Sequence, residues 1–182
     1  QVAWYENIGA PGSGASWQKH FVGDIASGFE AVAGDLDGDG VADLAVGAYL
    51  DDDGGTSHGA VWILFLNANG TVKGHQKISS ISGGFKGVLN IGNQFGISVD
   101  SLGDLDADGV TDLAAGANGD DDGGLDRGAV WILFLNPNGT VKGHQKISNT
   151  SGGFTGVLDN SDYFAYSISS LGDLDSDGVN DL

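Results

Sequence analysis

Three stretches of this chain carry one acidic pattern: Asp35-Leu-Asp-Gly-Asp-Gly-Val-Ala-Asp43, Asp104-Leu-Asp-Ala-Asp-Gly-Val-Thr-Asp112 and Asp173-Leu-Asp-Ser-Asp-Gly-Val-Asn-Asp181, starting 69 residues apart each time. Each places carboxylates at positions 1, 3, 5 and 9 and a glycine at position 6. Alternate side chains of a tight loop can turn toward one centre, and the glycine lets the backbone bend sharply. Such crowding is costly: at an effective dielectric near 20, two like charges about 4 Å apart repel by about 4 kcal/mol. No Lys or Arg lies inside any of the three loops, so a divalent cation is the simplest resolution. Oxygen donors alone, without His or Cys, on a flexible loop favour Ca²⁺ over Zn²⁺ or Mg²⁺. The expected ligands are Asp35, Asp37, Asp39 and Asp43 in the first loop, Asp104, Asp106, Asp108 and Asp112 in the second, and Asp173, Asp175, Asp177 and Asp181 in the third. The carbonyls of Val41, Val110 and Val179 are the expected fifth ligands.

An EF-hand opens on the same Asp-x-Asp-x-Asp-Gly but needs a bidentate Glu at position 12 between two helices. Position 12 is Val46 in the first copy and Ala115 in the second. The sequels, Leu44-Ala-Val-Gly-Ala and Leu113-Ala-Ala-Gly-Ala, are short apolar runs broken by glycine and read as strands. A solvated Asp/Gly turn accounts for one copy of such a loop, and three copies in strict period argue against it.

The repeat extends beyond the loops. Residues 59–89 and 128–158 agree at 27 of 31 positions. Each unit parses into four short strands. The first precedes the loop (96–100 and 166–170), and the second follows it (44–47 and 113–116). The third is Ala-Val-Trp-Ile-Leu-Phe-Leu (60–66 and 129–135), and the fourth is His-Gln-Lys-Ile-Ser (75–79 and 144–148). An unbroken apolar third strand implies burial on both faces. Asn67-Ala-Asn-Gly70 and Asn136-Pro-Asn-Gly139 carry the Asn-Gly signal of a hairpin into the fourth strand. Four-stranded units stacking on one another describe the blades of a β-propeller.

At this point the residues resemble a known family. Phe95-Gly-x-Ser-Val, then Gly-Asp-Leu-Asp-x-Asp-Gly-Val-x-Asp-Leu, then Gly-Ala is similar to the FG-GAP repeat of integrin-α-type β-propellers, from about Phe29 onward. The resemblance implies Ca²⁺ held by the four Asp side chains and the position-7 carbonyl, in the hairpin between the first two strands of a blade. Phe29-Glu30 and Phe164-Ala165 replace the Phe-Gly pair. Tyr49 and Asn118 stand where the family has proline after Gly-Ala, which fits its bacterial relatives better than integrins themselves.

The expected fold is therefore all-β, a partial propeller of about two full blades and two half blades. Residues 1–28 form a half blade, 29–94 a blade with loop 35–43, 95–163 a blade with loop 104–112, and 164–182 a truncated blade with loop 173–181. In the half blade, Val2–Asn7 and Trp17–Val22 read as third and fourth strands, with Trp4 matching Trp62 and Trp131. The halves do not close a ring in register, so the chain reads as a window on a longer array, marginally stable or self-associating through exposed blade faces.

Composition narrows the function. The chain has 182 residues, 25 acidic and 7 basic, for a net charge of −18; three Ca²⁺ would bring this to about −12. That balance argues against nucleic acid and anionic membranes. No apolar run approaches the roughly 20 residues that span a bilayer. Cys and Met are absent. Calcium loops of modest affinity favour a calcium-rich exterior, hence a secreted or cell-surface protein.

Other motifs read as structural. Asp51-Asp-Asp-Gly-Gly and Asp120-Asp-Asp-Gly-Gly are solvated loops, with a second metal site as the alternative. His58 becomes Arg127 in the next repeat, His75 and His144 recur within His-Gln-Lys, and His20 is isolated. The Asn-x-Ser/Thr triplets at Asn69, Asn138 and Asn149 fit the glycosylation pattern, the first two already explained by hairpin chemistry. No nucleophile–base pairing stands out, so the chain is expected not to be an enzyme. The reading is a calcium-braced adhesion or ligand-binding scaffold for an unidentified protein or carbohydrate. The alternative is the non-catalytic propeller part of an extracellular hydrolase or lyase.

Overall fold

The computed structural model describes residues 2–7, 17–23 and 28–182, with side chains from residue 30 onward. The roles assigned to the side chains of Trp4, His20 and Phe29 fall outside these. Ten strands and no helix make up the described chain. β1 (Val2–Asn7) and β2 (Trp17–Gly23) pair antiparallel, with Trp4 opposite His20. Then come β3 (Gly28–Gly34), β4 (Asp43–Ala48), β5 (Ala60–Leu66) and β6 (Val72–Ser79), in one four-stranded sheet ordered as in the sequence. A second such sheet holds β7 (Val99–Gly103), β8 (Asp112–Ala117), β9 (Ala129–Leu135) and β10 (Val141–Ser148). Every pairing is antiparallel. The fold is all-β, two propeller blades with further strand pairing at either side.

Both third strands are buried along almost their whole length because each faces two cores. On β5, Val61, Ile63 and Phe65 enter a cluster with Trp131, Leu133 and Leu135 of β9, so this core lies between the sheets. The alternate residues Ala60, Leu64 and Leu66 pack with Val46, Ala48 and Trp62 on the other face. On β9, Val130 and Ile132 pack instead with Leu102, Ala165 and Ile168. Phe85, from the β6–β7 connection, stacks on Phe95 at 5.2 Å and meets Trp131 edge-on at 5.1 Å, which caps the inter-sheet core. Trp131 and Trp62 also lie under Lys146 and Lys77, at 5.3 and 5.5 Å from Nζ to ring centre. The tryptophans thus serve packing.

The hairpin signals fold as a turn with a bulge. Asn67 N–H donates to the Thr71 carbonyl at 2.8 Å, Gly70 is left-handed at φ 77°, and the register shifts between Phe65 and Leu66. Asn69 Oδ1 accepts from Thr71 N–H at 3.1 Å and Thr71 Oγ1 at 2.7 Å, and Asn138 and Thr140 repeat the arrangement.

Two strand assignments are corrected. The first strand of the second blade begins at Val99, not at residue 96. Gln94 and Gly96 have φ of 57° and 81°, and Ile97 N–H donates to the Gln94 carbonyl at 3.0 Å, so Phe95-Gly96 forms a turn. That turn docks on the preceding blade through Phe95 N–H to the His58 carbonyl at 3.0 Å. Residues 166–170 form no strand; the third loop is closed instead by one bridge, Gly172 to Asp181.

Candidate metal centre

Each acidic loop connects two strands or the equivalent bridge, and its own carboxylates fold it. Asp35 accepts from Gly38 N–H at 2.8 Å and Gly40 N–H at 3.0 Å. Asp104 accepts from Asp108 and Gly109 N–H at 3.0 and 2.7 Å, and Asp173 from Asp177 and Gly178 N–H at 3.0 Å each. The position-5 carboxylates of Asp39, Asp108 and Asp177 accept from the N–H of Val41, Val110 and Val179 at 2.8, 2.9 and 2.8 Å, which fixes the backbone of the expected carbonyl donors.

Gly40, Gly109 and Gly178 at position 6 have φ of 85°, 89° and 90°. Position 4 is left-handed too, and it holds Gly38, Ala107 and Ser176 at φ 80°, 61° and 65°. An L side chain there costs about 1–2 kcal/mol. Ala107 is exposed and has no burial to lose. Ala107→Gly is therefore expected to stabilise the protein by about 0.5–1 kcal/mol, read as a higher urea midpoint at unchanged slope. A lower midpoint would show that this loop backbone is not strained.

The carboxylates converge in threes. One oxygen from each of Asp35, Asp37 and Asp39 lies within 4.8 Å of the others, as in the group Asp104, Asp106 and Asp108. In the third loop the group is Asp173, Asp175 and Asp181. Asp43 and Asp112 stand outside these triads. Asp43 is fully buried, with Oδ2 accepting from Leu36 N–H at 3.0 Å and Oδ1 from Leu66 N–H at 2.9 Å. Asp112 does the same with Leu105 and Leu135, both at 3.0 Å. Burial pushes both carboxyls above the ordinary range against the lowering effect of those N–H bonds. They lock the loop to the end of the third strand, and each oxygen keeps a second lone pair. Asp181 has one such bond, from Leu174 N–H at 2.8 Å, and its carboxylate joins the triad.

Two lysines that sequence reasoning passed over complete the first two centres. Lys73 Nζ, from β6, lies 2.8 Å from Asp37 Oδ2 and also bonds Asp39 Oδ2. Lys142, from β10, lies 2.8 Å from Asp106 Oδ2 and also bonds Asp108 Oδ2. The loops themselves carry no cation, yet the fourth strand delivers one. The lysine bond, helped by the Val41 or Val110 N–H, holds the Asp39 and Asp108 carboxyls below the usual range, and both lysines are raised. The available signal was the identical Gly-Thr-Val-Lys-Gly-His context of Lys73 and Lys142.

Lysine also accounts for the Asp-rich loops 51–53 and 120–122. Lys77 Nζ lies 2.8 and 2.7 Å from Asp51 and Asp53, and Lys146 lies 2.8 Å from both Asp120 and Asp122. Ser79 and Ser148 hydroxyls donate to Asp53 and Asp122 at 3.1 and 2.9 Å. These loops are ion-paired clasps between strand ends. The histidines are packing groups: His58 pairs with Ser80 Oγ at 2.9 Å, His75 lies 5.5 Å from Trp62, and His144 lies 5.3 Å from Trp131.

The donor set fits a hard divalent cation. Each triad is all oxygen, sits on a turn, and in two cases already attracts a positive group. Among the described residues no helix is long and apolar enough to cross a membrane.

The FG-GAP repeat family matches residues 27–64 and 95–133. Integrin alpha-6 of Homo sapiens is 34% identical over 158 residues, covering 85% of this chain and 12% of the integrin. Integrin alpha-PS5 of Drosophila melanogaster is 31% identical over 156 residues, covering 85% and 14%. Integrin alpha-5 of Xenopus laevis is 34% identical over 160 residues, with the same coverage. The chain spans 12–14% of the length of these relatives. With the repeat motifs, the blade-like sheets and the acidic hairpin loops agreeing, the chain carries FG-GAP repeats and is similar to integrin alpha chains over most of its own length.

Proposed function

We propose that the chain is a calcium-braced, non-enzymatic propeller segment of a secreted or cell-surface protein, serving as a scaffold for adhesion or binding of a protein or carbohydrate ligand. The observation that carries this reading is the convergence of three carboxylates in each of three loops, two of them within the matched FG-GAP repeats. Asp35, Asp37 and Asp39 would hold the first ion, Asp104, Asp106 and Asp108 the second, and Asp173, Asp175 and Asp181 the third. The Val41, Val110 and Val179 carbonyls supply further donors, and Asp43, Asp112 and Asp177 complete the sets. The blade units 29–94 and 95–163 are the elements so braced. Calcium here supplies charge and coordination. The chain's own residues position the loops on which a ligand-binding face is built.

Isothermal titration with CaCl2 tests the metal. We expect saturable binding that weakens about tenfold or more at one site in Asp37→Asn, because a first-row carboxylate ligand is lost. Binding unaffected by Asp37→Asn would refute the assigned ligand set. For the ligand half, a panel of immobilised extracellular proteins and oligosaccharides is probed in Ca²⁺ and in EGTA. A panel without any Ca²⁺-dependent binder counts against the scaffold.

A further inference from the structure

Lys73 and Lys142 stand at the two complete hairpin loops in the same way, although each comes from a strand 34–36 residues beyond the carboxylates it contacts. Each ammonium bridges the position-3 and position-5 carboxylates: Asp37 and Asp39 for Lys73, Asp106 and Asp108 for Lys142. The Lys73 and Lys142 side chains keep 28% and 25% of their surface exposed.

We infer that Lys73 and Lys142 are built-in counter-cations that compete with calcium for the first two loops, setting their affinity and keeping them folded when calcium is scarce. This rests on the metal reading proposed above. An ion entering the loop must displace the ammonium from two carboxylates or share them with it. Like-charge repulsion between the divalent ion and the ammonium then opposes binding at short range. The same ammonium relieves carboxylate repulsion in the calcium-free loop. Lysine therefore weakens calcium binding and strengthens the calcium-free fold, two effects that a merely structural lysine would not show with opposite sign.

The test uses the full chain with Lys73→Met and Lys142→Met together, since Met keeps the apolar stem and removes the charge. Calcium titration by calorimetry is expected to show two sites tightened about fivefold or more, with the third unchanged. In EGTA the variant should melt well below the wild type, and in saturating calcium the two melts should converge. Lys73→Met alone, leaving the second clamp intact, applies the same test at one site should the double variant fail to fold under either condition. Calcium affinity that is unchanged or lower in the variants, with calcium bound normally by the wild type, overturns the inference and leaves the metal reading standing. A wild type that binds no calcium removes the metal reading itself.

Discussion

Transferring the protein from calcium at about a hundredfold excess over Kd to EGTA is expected to lower its Tm by about 10–20 °C. A ligand that binds only the folded state stabilises it by about 2.7 kcal/mol per site at a hundredfold excess over Kd. Two fully built loops would then contribute about 5 kcal/mol. For a chain of this size about 2–4 °C of Tm accompanies each kcal/mol. The effect should be large because the loops are not peripheral ornaments. Asp43 and Asp112, the last residues of their loops, are fully buried and tie loop to sheet through N–H groups 23 residues further on. Loosening a loop therefore loosens the β4–β5 or β8–β9 ladder. The lysine clamps reduce the effect without abolishing it, since one ammonium carries half the charge of the ion. Differential scanning calorimetry in both buffers gives the answer, and superimposable melts would remove calcium from the account of this fold.

How legible was this in the sequence? The third strands are legible to the residue because each is an apolar run buried on both faces and bracketed by Gly59 or Gly128 and by Asn67 or Asn136. The acidic loops were legible for a related reason: their chemistry is local, carried by side chains at alternate positions of one short segment. What escaped was non-local. Lys73 and Lys142 look like solvated charges at a strand start, and nothing near them in the chain announces the carboxylates they meet. Gly96 reads as a strand start because the pattern runs smoothly into Ile97 and Val99. The turn there is imposed by hydrogen bonds to the neighbouring blade, which no periodicity within one repeat records. The left-handed position 4 was visible as Gly38 but masked by Ala107 and Ser176, where the loop's internal hydrogen bonds overrule the residue's own preference.

The repeat glycines are the other place where inter-blade contact decides the sequence, and they carry a second large effect. Gly59→Ala is expected to destabilise the protein by about 3–5 kcal/mol, while Gly92→Ala costs only about 1–2 kcal/mol. Both glycines are left-handed, at φ 85° and 80°, so the conformational penalty of an L side chain is shared between them. Surroundings differ. A Cβ on Gly92 meets nothing within 4 Å, whereas a Cβ on Gly59 would sit 2.1 Å from the Phe95 carbonyl oxygen and 2.5 Å from its nitrogen. That neighbour is backbone, held by the Gly59–Phe95 bridge and by the bond from Phe95 N–H to His58. It can withdraw only by separating the blades. Separation would lift Phe95, fully buried and stacked on Phe85, out of the core shared by β5 and β9. Gly128 faces the Phe164 carbonyl at the same 2.1 Å, so the contact is a property of the blade step and not an accident of one turn. Urea unfolding of the two variants separates the contributions. Equal losses would mean that backbone conformation alone selects glycine here, and a much larger loss for Gly59→Ala would show that close approach of successive blades does.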